Sequence, residues 1–250
     1  MIYLRFEYGG RARYGLLEGK TAVEISGSYF GSFKSTGRRF PLSRVKLLIP
    51  CKPSKIIAMG LNYIEHAREL KMPIPLQPLF FLKAPSAAAG PGENIVCPGV
   101  SRRVDYEGEL AVVIKKKAKD VPVGKAGDYI LGYTCFNDVT ARDLQDTDGQ
   151  WARSKSFDTF APIGPWIAGG IGTDNLNIET LVNGRKKQDS NTSGLIFKVD
   201  EIVSYVSRMM TLLPGDVIAT GTPPGVGPLK PGDKVEVRIQ KIGTLGNKVV

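Results

Sequence analysis

Residues 104–114 read "VDYEGELAVVI". Side chains alternate across an extended chain, so Asp105, Glu107 and Glu109 project to one face, followed on that face by Ala111 and Val113. A row of anions on a solvated outer face is the ordinary way to place such residues. The continuation "ELAVVI", however, is apolar at both parities, which marks a strand buried on both sides. Carboxylates turned toward an interior must be neutralised or bound to a metal. Two glutamates at i and i+2 offer hard oxygen ligands that suit Mg²⁺, Mn²⁺ or Ca²⁺ better than zinc.

Working outward, the composition agrees with a strand-rich chain. Among 250 residues there are 29 Gly and 17 Pro with no collagen-like period, which implies many turns. With 42% hydrophobic and 23% charged residues, the chain is an ordinary globular one rather than a disordered one. The longest charge-free stretch, 159–173, is too short and too broken by Pro and Gly to span a bilayer. The opening "MIYLRFEYGG" carries Arg5 and Glu7 and does not read as a signal peptide. Cys51, Cys97 and Cys135 are dispersed and form no CxxC pair, so reduced thiols and a cytoplasmic location are expected, without a zinc ribbon.

The formal charge of +10 admits two readings, nucleic-acid binding or a basic field that draws in a small anion. The clusters Arg38-Arg39, Arg102-Arg103, Lys115-Lys116-Lys117 and Arg185-Lys186-Lys187 are short and scattered. No RNP, KH, zinc-finger or basic-helix pattern accompanies them. A small anionic substrate is therefore expected, and no nucleic acid.

Residues 1–50 read as a small N-terminal β region, with "MIYLRFEY" and "ARYGLLEGKTAVEI" as β-like runs; a seam at Pro50 to Pro53 separates it from the main body, 51–250. "KIIAMG" and "PLFFLKA" read as strands flanking a helix in "GLNYIEHAREL", with Asn62 as N-cap and Glu65 three residues on. A second helix, Val199 to Met210, carries Ile202, Val203, Val206, Met209 and Met210 at helical spacing. "VIATG" and "KVEVRI" read as strands after two "PGD" turns. The fold class is mainly β with a few helices.

Candidate chemistry lies outside the quoted strand too. "DYILGYTCFNDVTARDLQ" runs from an apolar strand into Asn137 and Asp138, an acid where a strand stops. His66 is the only histidine, and on a helix it shares a face with Glu69, three residues on. That carboxylate can orient the ring and raise its basicity.

Six segments, "IIAMGLNYIEHARE", "DYEGELAVVI", "GYTCFNDVTARDLQ", "KSFDTFAPIGPWI", "QDSNTSGLIF" and "MTLLPGDVIATGTPPGVG", occur in this order. Together they resemble the fumarylacetoacetate hydrolase family, from about Pro53 to the C-terminus. The resemblance implies a mixed β-sandwich roll holding one divalent cation, Mg²⁺ with Mn²⁺ or Ca²⁺ as alternatives, and a homodimer. It implies metal ligands at Glu107, Glu109 and Asp138, with Asp105 outside them. It makes His66 and Glu69 the water-activating pair and Lys155 the residue that stabilises an oxyanion. Arg142 and Gln145 match positions that face the substrate, and Thr222 lies in a Gly/Pro loop whose N–H groups and hydroxyl suit a carboxylate. The expected activity is metal-dependent hydrolysis of a C–C bond in a 2,4-dioxo acid through a metal-bound enolate. Isomerisation or decarboxylation of a 2-hydroxymuconate-type or oxaloacetate-type acid is the alternative.

Overall fold

The alternation at 104–114 resolves into two strands with Glu107 between them. The computed structural model describes every residue except Leu70. The chain opens with β1 (Ile2–Tyr8), β2 (Arg11–Glu18), β3 (Thr21–Gly27), β4 (Phe33–Pro41) and β5 (Lys46–Leu48). Next come β6 (Ile56–Gly60), α1 (Ile64–Glu69), β7 (Leu79–Lys83), β8 (Ala88–Ala89) and β9 (Asn94–Ile95). The centre holds β10 (Val104–Tyr106), β11 (Gly108–Ile114), β12 (Ile130–Asn137), β13 (Thr140–Ala141), α2 (Arg142–Asp148), α3 (Ala152–Lys155) and β14 (Ala161–Ala168). The last part contains β15 (Asn177–Val182), β16 (Arg185–Asn191), α4 (Val199–Met209), β17 (Val217–Ala219), β18 (Gly227–Leu229), β19 (Lys234–Ile239) and β20 (Gly243–Val249).

A large sheet runs in the order β4-β3-β2-β1-β14-β12-β11-β17-β6-β7, with β5 on β1 and β8 on β14. Two smaller sheets, β13-β10-β18 and β16-β15-β19-β20-β9, complete a mainly β fold. β11 lies mid-sheet, and its two parities feed two cores. Ala111 and Val113 join Ile56, Ala58 and Phe136 on one side. Leu110, Val112 and Ile114 join Ile57, Met59 and the α4 residues Ile202, Val203 and Val206 on the other. Burial of each such aliphatic side chain is worth about 2 kcal/mol. This two-sided burial is why "ELAVVI" is apolar at every position. No helix among the described residues is long and apolar enough to cross a membrane.

Gly108, between the two glutamates, answers a steric demand. A Cβ there would lie 2.0 Å from Thr180 Oγ1 of β15, so any side chain would push the two sheets apart.

Two local expectations change. Asn62 does not cap α1. Its Nδ2 donates to the carbonyls of Phe197 (3.2 Å) and Thr220 (2.7 Å), and its Oδ1 accepts from Phe197 N (2.8 Å). The helix begins instead with the Ala67 N–H bonded to Tyr63 O at 3.0 Å, and the expected position 70 lies outside the described residues. Met209 is 53% exposed, so it does not belong to the buried stripe of α4. The N-terminal β region joins the main sheet through β1, which pairs with β14, Ile2 opposite Ala168. Asp216 anchors the following segment, accepting from Ser54 N (2.9 Å) and Oγ (2.7 Å) and Lys55 Nζ (2.6 Å).

Candidate active site

Antiparallel pairing of β11 with β12 sets the site. Gly108 lies opposite Asn137 and Glu109 opposite Phe136, so the acid that follows β12 returns beside the glutamate that precedes β11. Asp138 N donates to Glu107 O at 2.8 Å, and Glu107 N to Asn137 Oδ1 at 3.0 Å. One oxygen each from Glu107, Glu109 and Asp138 lies within 4.8 Å of the others, and all three residues are buried. The three expected metal ligands are thus brought together.

Cations surround this cluster. Lys155 Nζ donates to Glu107 Oε2 at 2.9 Å and to Asp138 Oδ2 at 2.7 Å. Arg142 donates to Glu107 Oε1 at 2.5 Å, to Asp105 Oδ2 at 3.0 Å and to Gln145 Oε1 at 2.5 Å. Asp105 also accepts from Arg103 at 2.9 and 3.1 Å, and it is not one of the three carboxylates that converge. Burial would raise the Glu107 carboxyl, but Lys155 and Arg142 outweigh burial and hold it down at about 2. Glu109 has the opposite balance. Burial, with the charges of Asp138 and Glu107 added, pushes it well above the usual carboxylate range despite Lys155 and the Gly221 N–H at 2.7 Å. Three hard oxygens this close, one left without enough positive charge, fit a divalent cation. Glu107, Glu109 and Asp138 would hold it.

The His66 ring is buried, and its Nδ1 lies 2.8 Å from Glu69 Oε2. The other oxygen, Glu69 Oε1, accepts from Gly225 N at 3.2 Å. The same Gly/Pro loop reaches Glu109 through Gly221, so one segment, 221–225, touches both the pair and the triad. Thr222 within it differs from expectation. Its hydroxyl donates to Gly108 O at 3.0 Å and accepts from Gln188 Nε2 at 2.8 Å. In this arrangement it braces the E-G-E turn and offers a substrate no proton. Gln145, with Oε1 taken by Arg142, has its NH₂ left to offer.

Sequence reasoning missed Lys83. It is 1% exposed, and its ammonium donates to Asp138 Oδ1 and, at 3.2 Å, to Val139 O. Burial pulls its pKa below the usual lysine value, against Asp138, which raises it. The available signal was a single lysine closing the apolar "LFFLK". The backbone donors Gly221 and Gly225 carry no side-chain signal.

The model of the fumarylacetoacetate (FAA) hydrolase C-terminal domain matches residues 55–250. The chain belongs to the fumarylacetoacetate hydrolase family. An Rv2993c-like N-terminal model matches residues 1–50. An uncharacterised protein of Archaeoglobus fulgidus is 59% identical, over 89% of this chain and 92% of its own length. The mitochondrial oxaloacetate tautomerase FAHD2A of Bos taurus is 43% identical, over 84% of this chain and 71% of its own length. The crystal structure of 5-carboxymethyl-2-hydroxymuconate delta-isomerase from Mycobacterium smegmatis superposes with a TM-score of 0.95 at 44% identity, covering 100% of this chain and 99% of that one. The crystal structure of maleylpyruvate hydrolase from Sphingobium sp. SYK-6 superposes with a TM-score of 0.84 at 31% identity, covering 100% of this chain and 99% of that one, so a hydrolase and an isomerase share this fold.

Proposed function

We propose that the chain is a Mg²⁺-dependent hydrolase that cleaves a C–C bond in a 2,4-dioxo acid, an acylpyruvate or fumarylpyruvate-like compound. The observation that carries this reading is the His66–Glu69 pair, joined through the 221–225 loop to the carboxylate triad. The chemistry a divalent cation supplies there is Lewis-acid stabilisation of negative charge on the substrate's 2-oxo oxygen.

His66 takes a proton from water, and Glu69 holds the imidazole in the orientation and tautomer that permit it. The hydroxide equivalent adds to the distal C4 carbonyl. Lys155, a buried and preorganised cation, stabilises the oxyanion that forms, an effect worth several kcal/mol in such sites (~3 kcal/mol). The C3–C4 bond then breaks, its electron pair passing to C3 and the 2-oxo group, and protonation at C3 gives pyruvate plus a free carboxylic acid. Arg142 holds Glu107 and Asp105 in place, and Gln145 contributes its NH₂ to the substrate.

A second reading, isomerisation or tautomerisation of a 2-hydroxymuconate-type or oxaloacetate-type acid, is favoured by the names of the 43% and 44% identical relatives. It uses the same residues, with His66 moving a proton between substrate atoms instead of activating water. The test follows ultraviolet absorbance of acetylpyruvate and of oxaloacetate, each with Mg²⁺ and again with EDTA. Mg²⁺-dependent loss of acetylpyruvate with release of acetate supports hydrolysis. Turnover of oxaloacetate alone supports the second reading, and loss of neither compound with either metal treatment counts against both.

A further inference from the structure

The carboxylate oxygens of the triad are engaged unequally. Glu107 Oε1 accepts from Arg142 at 2.5 Å and from Thr140 at 3.2 Å, and its Oε2 accepts from Lys155 at 2.9 Å. Asp138 divides in the same way, with Oδ2 accepting from Lys155 at 2.7 Å and Oδ1 from Lys83. Glu109 Oε2 accepts from Gly221 N at 2.7 Å, and its Oε1 has no donor among the described residues. The Lys155 ammonium therefore faces one oxygen of Glu107 and one of Asp138 at once. Arg142 and Lys83 each hold the oxygen that this shared cation leaves.

Strand β7 places Lys83 for this contact. Lys83 pairs with Ile56 of β6, and Phe81, two residues earlier, shares its face. The Phe81 ring lies 5.2 Å from the Lys155 ammonium and meets Trp151 edge-on at 5.1 Å, so the two lysines approach Asp138 across one apolar floor. Lys83 also donates to Val139 O at 3.2 Å. One ammonium thus bonds the side chain of residue 138 and the carbonyl of residue 139, which fixes the rotation of the carboxylate. At 1% exposure, it keeps these partners rather than exchanging them for water.

A carboxylate with one oxygen held in this way offers a metal the other. Mg²⁺ demands a near-ideal octahedron, and the two oxygens of one carboxylate lie too close together to fill two of its corners. Ca²⁺ takes roughly 6–8 oxygens in flexible geometry and readily accepts both from one carboxylate. We propose that Lys83 is a specificity-determining residue of the metal site: by holding Asp138 Oδ1 it restricts Asp138 to one coordinating oxygen and favours Mg²⁺ over Ca²⁺. The assignment rests on the divalent-cation site proposed above. A lysine that only balanced the acidic charge would oppose both ions alike, so the ratio of the two affinities carries the test.

The metal-free full chain, unaltered and as Lys83→Met, is titrated calorimetrically with Mg²⁺ and, separately, with Ca²⁺. Met keeps an apolar stem and removes the donor from Oδ1. The ratio of Ca²⁺ affinity to Mg²⁺ affinity is expected to rise about tenfold in the variant, as removal of a group that orients a metal ligand does. A ratio that is unchanged or falls overturns the proposal, whatever happens to each affinity alone. A crystal structure of the unaltered chain with Ca²⁺ bound decides the matter even if Lys83→Met fails to fold. Asp138 is expected to reach Ca²⁺ through one oxygen, with Lys83 still on Oδ1; both Asp138 oxygens on the ion overturn the proposal. An unaltered chain that binds neither ion overturns the metal-dependent functional reading along with it.

Discussion

The ammonium of Lys155 lies 2.7 Å from Asp138 Oδ2, with the lysine 2% exposed and the aspartate 1%. The same nitrogen reaches Glu107 Oε2 at 2.9 Å, so one buried cation holds two of the three triad carboxylates. Burial pulls the lysine's pKa down, but Asp138 and Glu107 outweigh it and raise it. Removing one partner of a buried ion pair leaves uncompensated charge and costs about 3–5 kcal/mol. Lys155→Met is therefore expected to lower Tm strongly in EDTA and to recover much of the loss on adding Mg²⁺. A variant whose deficit is the same with and without Mg²⁺ would show that Lys155 and the cation do not compensate the same charges.

Glu109 predicts the opposite sign. Its carboxyl is raised in the fold, so its favourable contribution is present below the ordinary value of 4.5 and is lost as pH rises above it. At neutral pH and without metal it therefore destabilises the fold. Glu109→Gln is expected to raise Tm in EDTA and to reduce the Mg²⁺-induced Tm increase sharply. Melts at neutral pH check both halves, and a variant less stable in EDTA contradicts the electrostatic account.

For Glu107 the window lies on the acid side. The carboxyl falls from an ordinary 4.5 to about 2 in the fold. Its stabilisation is complete above 4.5, diminishes as pH falls through that interval and is gone below about 2. In metal-free protein the Tm deficit of Glu107→Gln should be large at neutral pH and shrink steadily between pH 4.5 and 2. A deficit that is constant across that range would assign Glu107 a packing role instead.

Much of this was legible before any coordinates, and the reasons differ residue by residue. Glu107 and Glu109 were readable as candidates because carboxylates in an apolar strand demand an explanation, whereas Asp138, an acid at a strand end, joined them as a ligand only through the resemblance of six ordered segments to the family. β4 was not: nearly all of its residues are exposed, so "FKSTGRRFP" shows no apolar alternation, and only pairing with β3 makes it a strand. β20, "GTLGNKV", hides for a similar reason, its Gly residues obscuring the pattern. Asn62 looked like a helix cap because local chemistry favours it, yet contacts more than 130 residues away claim its side chain. Lys83 escaped because one lysine at a strand end is ordinarily a solvated one.

Gly108 is a compact test of the packing argument. A Cβ placed there meets Thr180 Oγ1 at 2.0 Å and Gln188 Oε1 at 3.2 Å. Forcing a methyl into a packed interior typically costs about 1–3 kcal/mol. Because Gly108 separates the two glutamate ligands, the displacement should also disturb their spacing. Gly108→Ala is expected to lower Tm and to weaken Mg²⁺ binding measured by calorimetry. An Ala variant with unaltered Mg²⁺ affinity would separate the sheet packing from the triad geometry.

The His66–Glu69 pair gives the prediction that bears most directly on the reaction. Glu69 Oε2 faces His66 Nδ1 at 2.8 Å while Oε1 is fixed by Gly225 N at 3.2 Å, so the ring is oriented from the loop that also reaches Glu109. If His66 is the base that activates water, His66→Ala should lower kcat for acetylpyruvate hydrolysis by ~10²–10⁴. Glu69→Gln keeps a hydrogen-bonding partner and removes the charge, so its loss should be smaller, about tenfold to a hundredfold. Neither change touches a triad residue, and the Tm increase with Mg²⁺ should survive both. Deuterium exchange at C3 of pyruvate, followed by NMR with Mg²⁺ present, separates the two reactions. Exchange that persists in His66→Ala while hydrolysis is lost places the histidine on the water; loss of both places it on the substrate carbon and turns the reading toward tautomerisation.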